Sequence, residues 1–308
     1  MGKLQTLYHL LHGDRRVLGK AVALNISSSS LSHIIPDKLY VEMLYWLYFN
    51  KKLKLKEPKT FNEKLQWIKL YERRDVYTKM VDKYAAKKYA AERIGETHVV
   101  PTYALWNAVD EIKFDELPAK FVMKCTHDSG SYVICRNKEE LDKDKAIEKI
   151  RKGFTTDSFY YGREWPYKDV KPRIIVEELL EDTKFNDLRD FKFFCFNGKV
   201  KCFKVDFDRF VDHRANYYDP DFNLLPFGEN ECPPKYEVII ERPKNFDKML
   251  EMAEILAKDT SFLRVDFYNI DGKIYFGEMT FFPASGFGTF TDDRWDEKMG
   301  NWIELPSR

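Results

Sequence analysis

The stretch FLRVDFYNIDGKIYFGEMT, residues 262–280, sets two runs of apolar residues around Asn269-Ile270-Asp271-Gly272 and reads as an antiparallel hairpin. Each run is interrupted by charge: Arg264 and Asp266 on the first, Glu278 on the second. Charged groups enter an interior only with partners, so these three need one. The turn decides which of them meet. With Asp271-Gly272 as a two-residue turn, Asp266 faces Gly277 and Glu278 points to the opposite side. With Ile270-Asp271-Gly272 as a three-residue loop, Arg264 pairs with Glu278 and Asp266 with Phe276. Arg264, Asp266, Glu278 and Thr280 then share one face. Asn269 suits the first position of a type I turn and Gly272 a left-handed bulge position, which favours the longer loop. Two neighbouring carboxylates repel unless a cation lies between them. Oxygen donors of this kind suit Mg²⁺, which also takes phosphate oxygens and water. The competing reading is an arginine–carboxylate cross-strand pair that fixes register.

Outward from this hairpin the chain mixes helices with further hairpins. Residues 1–75 read as helical, with breaks at 27–30, Pro36 and Pro58. Thr60-Phe61-Asn62-Glu63 is a capping box opening a helix to about 71. A second helix is expected over 76–94, stopped by Gly95. Two apolar runs, 121–125 and 131–135, flank the small-residue tip Asp128-Ser129-Gly130. A charged helix is expected over 138–152 and a buried strand over 173–180. Asn197-Gly198 supplies the positive φ angles of a tight turn between 191–196 and 199–207. A helix over 246–258 precedes the 262–280 hairpin, and a glycine-rich loop, 283–288, follows it. Antiparallel hairpins with amphipathic helices indicate an α+β fold. Neither GxGxxG nor GxxxxGK[ST] occurs, so Rossmann and P-loop nucleotide sites are unsupported.

The 308 residues are enough for two or three lobes around one cleft. Hydrophobic residues at 44% and charged residues at 33% fit a globular enzyme rather than a disordered chain. The formal net charge of +1 supplies no global field, which argues against a nucleic-acid partner. Five cysteines, an odd number without CxxC spacing, argue against disulfides or zinc and for a reducing compartment. No secretory signal is evident, and the longest apolar stretch, 39–49, is too short to span a bilayer. A cytoplasmic location is expected.

Seven ordered motifs resemble the TupA-like branch of the ATP-grasp superfamily, found in bacterial gene clusters for capsule, teichuronopeptide and other surface polysaccharides. They are TFNEKLQWIKLY (60–71), VDKYA (81–85), FVMKCTHDSGSYVIC (121–135), IIVEELL (174–180), DFKFFCFNGK (190–199), RVDFY (264–268) and GEMTFFPASGFG (277–288). The resemblance implies two α+β lobes sandwiching ATP. It divides the chain into a helical extension (1–75), a preceding segment (76–118), a small lobe (119–182) and a large lobe with the metal site (183–308). It further implies that Lys83 and Lys124 contact the nucleotide and that Ser129 and Gly130 close over phosphates. Glu177, Glu178 and Leu180 would form the adenine hinge, with Asp182 at the ribose. Lys192 would contact phosphate, and Arg264 would stabilise the transferring group. Asp266 and Glu278 correspond to the Mg²⁺ ligands. Thr280 stands where many such ligases have Asn, which bears on how many ions are held.

The reaction implied by the resemblance is carboxylate activation by ATP and capture of the acylphosphate by an amine. A small-molecule or glycan substrate follows, a uronic or amino acid in free or lipid-linked form. Arg209 and His213, after the central hairpin, and Ser285-Gly286, after the metal strand, are candidates to hold an anionic acceptor. Two alternatives remain: a glycan kinase using the same lysines and metal, or a glycosyltransferase reading Asp206-Phe207-Asp208 as a DxD motif. The segment 40–56 places Tyr40, Tyr45, Trp46, Tyr48 and Phe49 before Lys51, Lys52, Lys54 and Lys56. That pattern fits peripheral contact with the inner membrane face, or a helix docked on the lobes with a solvated basic end.

Overall fold

A computed structural model describes residues 15–182, 184 and 188–307, so the helical reading of 1–14 lies outside the described residues. The helices Arg15–Ser27, Leu31–Ile34, Asp37–Phe49 and Phe61–Tyr71 come first. Thr60 and Glu63 form the expected capping box at the last of these. The single helix expected over 76–94 is two, Asp75–Val81 and Lys83–Ile94. Asp82 separates them because its carboxylate accepts the N–H groups of Tyr84 and Ala85 and so starts the second helix.

Strands β1 (Thr102–Trp106), β2 (Phe121–Cys125), β3 (Tyr132–Cys135) and β4 (Ile174–Glu177) form one antiparallel sheet in the order β1-β4-β2-β3. Its edge strand β1 lies upstream of 119, so the small lobe draws on the segment expected to precede it. Strands β5 (Asp190–Phe196), β6 (Lys199–Phe207), β7 (Arg214–Tyr218), β8 (Phe262–Ile270) and β9 (Lys273–Thr280) form a second antiparallel sheet, β7-β6-β5-β8-β9.

Each sheet is covered on one face by a helix, and the large sheet also buries part of its other face, where Phe196 and Phe262 meet Phe61. The helix Lys143–Phe154 covers the small sheet, where Ala146 and Ile150 meet Phe121, Met123 and Cys125. The helix Phe246–Ala257 covers the large sheet, packing Phe246, Met249 and Leu256 with Phe193, Phe203 and Phe267. The N-terminal helices share this larger core through Tyr40, Val41, Leu44, Phe61, Leu65 and Ile68. Each such residue contributes roughly 1.5–3 kcal/mol of burial. The helices are therefore part of the large lobe rather than an appendage. Of the aromatics in 40–56, Tyr40 and Tyr45 are buried, Tyr48 stacks on Phe287, and Trp46 is exposed. All five cysteines are buried and unpaired, as small apolar residues.

The 262–280 hairpin departs from the expected register. Ile270 pairs with Lys273 across a two-residue turn. Asp271 at φ 50 and Gly272 at φ 81 give it the two positive φ angles of a type I′ turn. A bulge between Asp266 and Phe267 then restores the parity that this turn would lose. Arg264 pairs with Thr280 and Asp266 with Glu278, in place of the expected Glu278 and Phe276. Gly277 is the extra residue: a Cβ there would stand 3.1 Å from the Asp266 carbonyl oxygen.

Candidate active site

The face of the large sheet opposite the Phe246–Ala257 helix is polar beyond the aromatic end that packs on Phe61. One row across it runs Lys204, Lys192, Asp266, Glu278, from β6 to β9, because these residues are register partners. Arg264 and Thr280 are opposed in the next row but one. Arg264 Nε and Nη2 each donate to Asp266 at 2.7 Å, and Nη2 also donates to Glu278 Oε1 at 2.8 Å and Thr280 Oγ1 at 3.0 Å. Lys192 Nζ donates to Asp266 Oδ2 and Asp190 Oδ2, both at 2.5 Å. Burial disfavours the charges of Arg264, Asp266, Lys192 and Asp190, and at Asp266 and Lys192 the partners outweigh it. Arg264 and Lys192 hold the Asp266 carboxyl below its usual range. Asp190 and Asp266 keep Lys192 raised, while burial wins at Asp190 and pushes it up.

The small lobe supplies the facing cations. Along β2, residues 121, 123 and 125 are buried in the core, which turns Lys124 to the cleft. Lys124 pairs with Glu177, whose other oxygen accepts from Lys87 Nζ at 2.6 Å. Burial would raise Glu177; Lys124 and Lys87 hold it low instead. Lys83 Nζ donates to the carbonyls of Cys125 (3.0 Å) and Asp128, and burial lowers it.

Between the lobes lies a cavity of about 870 Å³. Among the residues singled out by sequence, Lys83, Lys124, Ser129, Gly130, Glu177, Glu178, Leu180 and Asp182 line it from the small-lobe side. Lys192, Arg209, Arg264, Glu278, Thr280 and Ser285 line it from the other. Asp266 lies beneath Arg264 and Lys192, only 1% exposed. His213 and Gly286 are not on the cavity wall. His213 Nε2 bonds Asp206 Oδ2 at 3.2 Å, and Gly286 is held by Gln66 through its carbonyl at 2.7 Å. The Glu178 N–H donates to Pro101 O at 3.1 Å, continuing the pairing of β4 with the chain entering β1. Asp182 Oδ1 accepts from Lys184 N at 2.8 Å.

Several residues of this cleft lie outside the sequence reading. Lys87 balances Glu177 from behind. Gln66 and Lys69, in the buried helix Phe61–Tyr71, hold the 285–286 backbone. Glu164 and Tyr167 complete the cavity wall. The readable signal is a polar series at Asn62, Gln66 and Lys69, spaced 4 and 3 apart on one face of the Phe61–Tyr71 helix.

The two carboxylates and the hydroxyl at 266, 278 and 280 are hard oxygen donors, and Asp266 stands directly opposite Glu278. Such a donor set fits Mg²⁺ accompanied by phosphate oxygens. Asp206, the first residue of the DxD reading, is instead engaged by Lys204, Arg209 and His213.

Residues 63–304 match the family described as TupA-like ATPgrasp, and the chain belongs to that family. No curated protein matches it in sequence. Among solved structures it is similar to D-alanine–D-alanine ligase from Bacillus anthracis complexed with ATP, at 17% identity and a TM-score of 0.39, over 65% of this chain and 53% of that one. The Helicobacter pylori D-alanine–D-alanine ligase gives 15% identity and a TM-score of 0.41, over 74% of this chain and 61% of that one. N5-carboxyaminoimidazole synthetase from Staphylococcus aureus, complexed with ADP, gives 13% and 0.39, over 66% and 45%. The chain thus spans between half and two thirds of the length of the two D-alanine–D-alanine ligases.

Proposed function

We propose that this protein is an ATP-dependent ligase that activates a carboxylate as its acylphosphate and joins it to an amine. The observation that carries the reading is the cavity between the two sheets, with Lys83 and Lys124 on one side and Lys192, Arg264 and the 266/278/280 oxygens on the other. ATP binds there with its phosphates between the two sets of cations. A substrate carboxylate oxygen attacks the γ-phosphorus, the bond to ADP breaks, and ADP leaves with the electron pair. Asp266, Glu278 and Thr280 would hold Mg²⁺, which supplies neutralisation of phosphate charge when bound. Arg264 presents its guanidinium, kept charged by Asp266 and Glu278, to the oxyanion of the acyl group. The small lobe excludes water from the acylphosphate.

The acid is a uronic or amino acid in bacterial surface polysaccharide synthesis, a proposal supported by the family. Purified protein with ATP, Mg²⁺ and hydroxylamine is expected to form a hydroxamate from one of D-glucuronate, D-galacturonate, L-glutamate or alanine. ATP consumption that phosphorylates a glycan hydroxyl, with no hydroxamate from any acid, would replace the ligase by the kinase. Use of a sugar nucleotide in place of ATP would favour the transferase.

Contact with the inner membrane surface is a separate proposal, supported by exposed Trp46 beside exposed Lys51, Lys52, Lys54 and Lys56. Among the described residues no helix is long and apolar enough to cross a membrane. Anionic liposomes are expected to float the intact chain and to lose it when the four lysines become glutamate. Equal flotation of both proteins removes the proposal.

A further inference from the structure

Lys69 is an ammonium-bearing side chain only 1% exposed. Its Nζ donates to Ser285 O at 2.7 Å and to Ser285 Oγ at 3.1 Å, and lies 4.8 Å from the centre of the Phe287 ring. Ser285 Oγ and Glu164 Oε1 both border the space beside Gly162. Ser285 and Glu164 line the ATP-side cavity, and Lys69 stands behind them. The hydroxyl is held in place against strain. Ala284 and Ser285 have φ of 46 and 52, a left-handed conformation that non-glycine residues adopt only at a cost. Gly162 leaves the space: a Cβ there would come within 2.3 Å of Ser285 Oγ.

We propose that Lys69, Ser285 and Glu164 form a proton relay that deprotonates the acceptor amine during amide formation. The proposal rests on the ligase reading above. An alkylamine is an ammonium at neutral pH and has no lone pair with which to attack. Once neutral, its nitrogen attacks the acylphosphate carbonyl carbon. The carbon–nitrogen bond forms, the carbon–oxygen bond to phosphorus breaks, and phosphate leaves with the electron pair and takes up the second nitrogen proton. The amine proton passes to Ser285 Oγ as the hydroxyl proton passes to the neutral form of Lys69 Nζ, and Glu164 stabilises the ammonium so formed. Lys69 acts through Ser285 and is a positioning and relay residue.

Its surroundings suit that task. Burial lowers Lys69 to about 7, with Glu164 opposing the shift, and burial raises Glu164. The groups around Lys69 are few. Phe282, Ser285 and Phe287 come from the loop after β9, and Glu164, with Tyr167 near it, from the 164–167 turn. Tyr48, stacked on Phe287, comes from the Asp37–Phe49 helix. Tyr167 and Tyr48 have their phenols pushed up by burial, so they stay neutral. A purely mechanical role is already filled, because Gln66 Nε2 donates to both Ser285 O and Gly286 O.

The test uses the acid that yields hydroxamate and compares two nucleophiles, hydroxylamine and the side-chain amine of Nα-acetyl-lysine. Hydroxylamine is already neutral at about pH 7, whereas the lysine amine is not. The expected result for Lys69→Met is that amide formation falls about 100-fold or more relative to hydroxamate formation near neutral pH. The deficit should shrink as pH rises toward the amine's own ionisation near about 10.4. Lys69→Arg keeps the charge and cannot release a proton, so it should behave like Lys69→Met. Equal losses with both nucleophiles at every pH, or a wild-type profile in Lys69→Arg, would overturn the relay. Nitrogen-15 NMR of the lysine side chains adds a readout independent of the reaction. The resonance missing in Lys69→Met should titrate near neutrality, and one that stays charged at about pH 10 also overturns the relay. Absence of hydroxamate with every acid, alongside a near-neutral titration of Lys69, would instead locate the failure in the ligase reading.

Discussion

Asp266→Asn is expected to abolish ATP-dependent turnover, by about a thousandfold or more, and to destabilise the fold at the same time. The wild-type carboxylate accepts from Arg264 twice and from Lys192 once. An amide keeps one acceptor and turns a donor toward the same cations. Removing one partner of a buried ionic cluster costs about 3–5 kcal/mol, a large share of the roughly 5–15 kcal/mol that holds a domain together. Asp190 and Glu278 remain as second partners of Lys192 and Arg264, which places the expected loss toward the lower end. The pH dependence has a definite sign. Asp266 is depressed in the folded state, so its contribution is fully present above the unfolded carboxyl value near about 3.9. It is lost as pH falls through the lower folded value. Urea denaturation should therefore show a wide gap between wild type and variant near neutrality, narrowing in acid. A variant with wild-type stability and turnover would show that Asp266 is dispensable to both the cluster and the chemistry.

The hairpin that carries Asp266 shows what is legible in the sequence and why the remainder is hidden. The shared face of Arg264, Asp266, Glu278 and Thr280 is readable, because all four interrupt apolar runs at even spacing within each strand. The route to that face is not. Asn269 carries a turn signal of its own, yet Asp271-Gly272 alone makes the turn and the bulge at Gly277 restores parity. A bulge has no strong signal beyond a glycine inside a strand. The same limit applies elsewhere. Strand β1 follows a proline and is half-exposed at a sheet edge, so its apolar alternation is weak. The break at Asp82 depends on one side chain reaching two backbone N–H groups. Lys87 reads as part of a solvated helix face until β1 and β4 fold over it, bringing Thr102 and Glu177 to within 2.6 Å. Tertiary contacts of that kind have no local periodicity.

Lys87→Met is expected to weaken ATP binding about 10–100-fold although Lys87 is not on the cavity wall. Lys87, Glu177 and Lys124 together carry one net positive charge, and Lys124 is the member that is both cationic and on the wall. Lys87 neutralises Glu177 from the helix side, which leaves the charge of Lys124 available to phosphate. Without Lys87, Glu177 cancels Lys124 instead, and an incoming triphosphate meets a neutral pair. Adding Glu177→Gln to Lys87→Met removes the cancelling charge, so the double variant should regain most of the lost affinity. Loss of packing by Lys87 would behave differently, because the second substitution would then deepen the defect. Titration calorimetry with ATP on the wild type, both single variants and the double variant separates the two outcomes. Wild-type affinity in Lys87→Met would show that Lys124 holds its charge for the nucleotide without help from behind.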